Sequence, residues 1–100
     1  MNDLQHITPE QVLEVADAAE QRDSPQNAKR DVLMERLEAL SELQRRELCA
    51  VMNAGRGSGS FGSVAAFREG RVGNDKPTYF TEKQDLADSL RDGLTRLSAG

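Results

Sequence analysis

The chain of 100 residues predicts an all-α fold: a small bundle of four to five helices with a glycine-rich loop between the third and the fourth. Three observations carry this. A helix-start device recurs, since Thr8-Pro9-Glu10-Gln11, Ser41-Glu42-Leu43-Gln44 and Thr81-Glu82-Lys83-Gln84 each place a hydroxyl three positions before a glutamine. The hydroxyl accepts a free amide of the first turn, and the glutamine reaches back to the cap. Apolar residues then follow three and four apart, the spacing of one helical face. Only residues 47–54, ELCAVMNA, also fit a buried strand, and the capping box before them favours helix.

In chain order, Pro9 sits at the first helical position after Thr8. Val12, Val15, Ala16 and Ala19 continue the stripe, giving a helix from about Pro9 to Arg22. Ile7 and Val12 stand where a hydrophobic staple places them. Residues 21–26, QRDSPQ, form a polar linker, and Ser24-Pro25 can open the next helix. Leu33, Leu37 and Leu40 share a face, and the second capping box puts a break near Ser41. Leu48, Val51 and Met52 build the third helix, with Gly55 placed to end it. Phe61–Glu69 is a short amphipathic helix stopped by Gly70. Arg71–Phe80 is irregular or briefly extended, because Lys76-Pro77 disfavours helix. The third capping box opens the last helix, marked by Leu86, Leu90, Leu94 and Leu97. Gly93 inside it costs about 1 kcal/mol against alanine, which suits a position where another backbone passes closely.

Length and composition fit one domain, residues 1–100, with 1–7 and 98–100 as loose ends. The net charge of −4 argues against a nucleic-acid binder. Residues 1–28 hold six acids and one base, whereas 29–71 hold six acids and eight bases. These two regions can attract each other, although mixed-sign solvated helix faces account for the charges more simply. No stretch approaches the ~20 apolar residues of a membrane span, and the N-terminus is not a signal peptide, so a reducing cytoplasm is the expected compartment. One cysteine, Cys49, and one histidine, His6, exclude a disulfide and make a poor zinc site. No metal and no cofactor are expected.

Residues 57–64, GSGSFGSV, match the glycine-rich phosphate loop of protein kinases, and residues 57–62 the dinucleotide fingerprint. The partners of either motif are missing. No lysine-bearing strand follows, no D-F-G is present, and the segment before the loop reads as helix. A helix terminator with a flexible connector explains the glycines better.

Residues 47–57, ELCAVMNAGRG, resemble the core E-L-V-A-L-x-W-x-G-R-G of a family of small uncharacterised bacterial proteins. LADSLRDGL at 86–94 resembles that family's closing L-A-D-x-L-x-x-G-L. The resemblance spans about residues 31–97. It implies a fold unit and no activity, and it moves attention from GSGSFGSV to Gly55-Arg56-Gly57. Asn53 stands where the pattern carries tryptophan.

The candidate ligand site is therefore Arg56 with Gly55, Gly57 and Gly59. An arginine there can clamp a carboxylate or phosphate in a fork. It can equally cap the last carbonyls of its helix or pair with an acid of the last helix. Cys49 reads as a buried inert thiol, Arg45 and Arg46 as part of a solvated mixed-charge face, and no residue set is catalytic. The expected function is a small non-enzymatic module for protein interaction or self-association, as a homodimer or with another protein. The leucine faces of 31–54 and 82–97 would supply the contact. The alternative is a binder of a small anion or nucleotide through the Gly-Arg-Gly loop.

Overall fold

The computed structural model describes residues 4–22, 32–57 and 64–99, and these hold six helices and no strand. They are α1 (Pro9–Arg22), α2 (Val32–Ala39), α3 (Glu42–Gly55), α4 (Val64–Arg68), α5 (Pro77–Thr81) and α6 (Leu86–Ala99). The chain is thus all-α as expected. Most of the expected glycine-rich loop, including Gly59, lies outside the described residues, as does most of the 21–26 linker.

Two capping boxes form as the sequence predicts. The Gln11 amide donates to Thr8 Oγ1 at 3.1 Å and the Thr8 amide to Gln11 Oε1 at 3.0 Å. At Ser41 the matching bonds measure 3.1 and 2.8 Å, so the chain breaks between α2 and α3. The third box does not open the last helix. Thr81 ends α5, its hydroxyl donating to the Thr78 carbonyl at 3.0 Å, and α6 begins only at Leu86. The reason lies in Pro77. Lys76 is extended, as a residue before proline should be, but Pro77 itself occupies the start of α5, where its missing N–H costs nothing. That short helix takes up Thr81.

Glycine placement also differs in detail. Gly55 is still helical, and the turn is made by Gly57 with φ +80°. Gly70, with φ +79°, stops α4 as expected. There the Arg71 amide donates to the Ala66 carbonyl and the Gly70 amide to the Phe67 carbonyl, a Schellman motif.

The core is a single cluster, with Phe80, Leu33, Leu37, Leu48, Met52, Leu86 and Leu90 as its largest fully buried members. Here α3 packs along α6, α6 along α1, and α1 along α2. The α3–α6 crossing is unusually close. A Cβ on Gly55 would come within 3.0 Å of the Ser89 carbonyl, and one on Gly93 would do the same at the Val51 carbonyl. Val51 and Gly55 are four apart on α3, and Ser89 and Gly93 four apart on α6, so each glycine receives the other helix's backbone. The sequence expectation for Gly93 is met, and Gly55 is its counterpart.

The N-terminal segment is tied down rather than loose over Gln5–Ile7. Glu47 is fully buried. Its carboxylate accepts the amides of Gln5, His6 and Ile7 at 2.7–3.1 Å and the Arg68 guanidinium at 2.7 Å. Burial works to raise the carboxyl pKa, but the amides and Arg68 outweigh it and hold the group below its ordinary 4.5. A buried carboxylate so fully matched persists as a charge.

Candidate functional site

α3 sends side chains to three surroundings. Glu47 serves the N-terminal segment, while Leu48, Val51 and Met52 enter the core. Cys49 and Asn53, four apart, face the short helices. There, between α3, α4, the 70–76 connection and α5, lies a cavity of about 310 Å3 lined by Asn53, Phe67, Val72, Gly73 and Tyr79.

Charged side chains of α3 fix the wall of this cavity. Arg45 Nε donates to the Asp75 carbonyl at 2.6 Å, and Arg46 Nε reaches Asp75 Oδ2 at 3.2 Å. The rest of Arg45 closes the carbonyls of Leu37 and Leu40 at the end of α2, where a cation suits the helix dipole. Arg46 also bonds Glu42 at 2.9 Å and the Arg68 carbonyl at 3.2 Å. The expected solvated face at Arg45 and Arg46 is instead a clamp on the 70–76 connection. Gly73 has φ +82°, and a Cβ there would meet both the Phe67 ring and Cys49 Sγ. Only glycine lets the connection lie this close to α3.

The polar content of the cavity comes from two side chains. Asn53 Nδ2 donates to the Cys49 carbonyl at 2.9 Å and contacts Cys49 Sγ at 3.4 Å. That leaves Oδ1 as the acceptor at the cavity. Tyr79 is the other polar residue of the lining, its ring edge-on to Phe80 at 5.6 Å and carrying the Lys83 ammonium at 4.4 Å. Burial pushes the Tyr79 phenol up, and Arg56 opposes this.

Cys49 is fully buried behind Gly73. Burial pushes its thiol up, against the Asn74 amide, Asn53 and the Lys83 charge. No imidazole is among these neighbours. A raised, enclosed thiol is a poor nucleophile.

At the Gly-Arg-Gly corner, Arg56 Nη1 pairs with Asp85 at 3.1 Å, just before α6. The Arg56 and Gly57 amides donate back to the Met52 and Ala54 carbonyls, and Arg96 adds a bond to the Ala54 carbonyl at 2.8 Å. Gly55 packs on α6. The corner is a helix C-terminus whose amides turn inward. The structure brings none of these residues into the cavity lining.

Two further hollows are smaller and polar. One, of about 170 Å3, is lined by Arg46, Gly70, Val72, Gly73, Asn74 and Asp75. The other, of about 160 Å3, lies between α1 and α2. Among the described residues no group of three or more His, Cys, Asp or Glu side chains could hold a metal, and no helix is long and apolar enough to cross a membrane.

The sequence reading missed the cavity because its lining comes from four separate elements. Phe67 and Tyr79 could have signalled it as aromatics outside the leucine stripes; Val72 and Gly73 give no local sign. Fold and cavity together define a class: a single-chain helical bundle with one apolar side pocket larger than its other described hollows. Compared with protein-family models, curated proteins and solved structures, the chain matches none.

Proposed function

We propose that this chain is a non-enzymatic binding module and that its recognition point is the cavity of Asn53, Phe67, Val72, Gly73 and Tyr79. The observation that carries this is the contrast in apolar surface. The leucine faces expected to recruit a second chain lie largely in the chain's own core, and among the described residues only Leu13 (42 % exposed) and Leu43 (38 %) stand out as exposed large hydrophobics. The cavity is the larger apolar feature left, and its volume falls at the low end of ligand pockets, ~300–1,000 Å3. A single inserted group suits it better than a broad dimer face.

Native mass spectrometry of the protein as purified from cells tests this, alongside the Asn53→Trp variant. An indole grown from the cavity floor should fill it. The expected result is an added mass on the unmodified protein that the variant loses. A bare monomer, or a complex that Asn53→Trp retains, overturns the reading.

A further inference from the structure

The chemistry of the cavity narrows what it takes. No side chain that lines it is charged, so an ionic group placed inside would lose hydration without a counter-ion in the lining, the nearby Lys83 ammonium being engaged with the Tyr79 ring. Its walls include two aromatic rings, Phe67 and Tyr79, an isopropyl group, Val72, and the side-chain-free surface of Gly73. Flat ring edges and faces meet such walls in the offset and edge-on geometries that aromatic pairs prefer. The Asn53 amide is committed by orientation: Nδ2 is held by the Cys49 carbonyl and sulfur, which leaves Oδ1 as its fixed acceptor. Among the described residues no donor reaches that oxygen, and none reaches the Tyr79 hydroxyl. An aliphatic occupant would bury the Asn53 acceptor without a partner, which is disfavoured.

Resting on the function proposed above, we infer that the occupant is a small neutral aromatic molecule with one N–H or O–H donor, its ring between Phe67 and Tyr79 and its donor on Asn53 Oδ1. One- or two-ring compounds fit the volume. The Lys83 ammonium on the Tyr79 ring disfavours a cationic aromatic, since one cation already holds that ring.

Two-dimensional amide NMR of the intact chain tests the class with four probes: indole, 1-methylindole, phenol and cyclohexanol. The expected result is saturable shifts of the Asn53, Gly73 and Tyr79 amides, with indole binding at least about fivefold tighter than 1-methylindole. Phenol should bind tighter than cyclohexanol. In Asn53→Leu the difference between indole and 1-methylindole should vanish while both still bind. If that variant does not fold, the comparison on the unmodified protein decides alone. Equal affinity of indole and 1-methylindole overturns the donor, and equal affinity of phenol and cyclohexanol overturns the ring. If no probe moves those amides at millimolar concentration, the small-molecule class is overturned. The parent reading stands or falls separately on the mass lost in Asn53→Trp. If that mass is a polypeptide, the small-molecule class is overturned and the recognition point is kept.

Discussion

The two sides of α3 use glycine for opposite ends. Toward α6, Gly55 and Gly93 remove every atom between two backbones, and the helices touch. Toward α4 and α5, Gly73 likewise lets the chain close onto Cys49 and Phe67, but the two helices beyond it are only five residues long. Five residues present one or two inward side chains, Val64 and Phe67 from α4 and Phe80 from α5, and cannot line a full groove. The sealed side therefore has no room for a methyl group, while the open side keeps about 310 Å3. Close packing is achieved where two 14-residue helices run past each other over several turns. It fails where a long helix meets short ones joined by an irregular connection.

Adding volume to each side breaks or sharpens that contrast. Gly93→Ala should cost about 3 kcal/mol, because the new methyl overpacks the crossing. Helix propensity alone predicts the opposite, a gain of about 1 kcal/mol. A urea midpoint that rises would show that α3 and α6 do not cross at this distance.

Glu47→Gln comes next, at about 2 kcal/mol, since it replaces charge-assisted bonds to three amides and Arg68 by neutral ones. The pH dependence has a definite sign. The folded-state pKa lies below the unfolded one, so the unfolded chain binds the proton more readily. The contribution is present above about pH 4.5 and is lost as pH falls through the lower folded value. Unfolding free energy measured from pH 6 downward should fall less steeply in Glu47→Gln. Parallel curves would count against the charged nest.

On the open side, Asn53→Trp should stabilise by about 1 kcal/mol, as cavity filling commonly does. A melting temperature that drops as far as in Gly93→Ala would erase the difference between the two sides. The smallest effect belongs to Arg56→Ala, under about 1 kcal/mol, because its pair with Asp85 is solvent-exposed. A loss several times larger, read from the same urea titration, would give the Gly-Arg-Gly corner a role its geometry does not suggest. Arg91 shows where the acids of α1 go instead of the basic middle. It bonds Glu20 at 2.8 Å and Asp17 at 2.9 Å, and those bonds hold it still more firmly charged. Among the described residues of the basic middle, Arg36 reaches α1, 3.9 Å from Glu14.

The local devices were legible. Thr8 and Ser41 cap their helices because a hydroxyl and a glutamine three residues on interact within one turn. Leu33, Leu37, Leu48, Leu86 and Leu90 are buried because their spacing gives each helix one apolar face. Gly93 announced a close approach by its cost inside a helix. The same local logic failed at Thr81, where an identical T-x-x-Q pattern lost to the helix that Pro77 starts. It also overlooked Glu47, whose only sign was a charge beginning an apolar run.

The sequence by itself determined that this chain is helical, where α1 and α3 begin, and which faces turn inward. Those follow from interactions spanning at most four residues. Tertiary structure alone decided that Gly55 meets Gly93, that Glu47 holds the amides of Gln5 to Ile7, and that Asn53, Phe67, Val72, Gly73 and Tyr79 share a cavity. Each of these joins groups far apart in the chain. Their distances depend on how the helices cross, which no local pattern encodes.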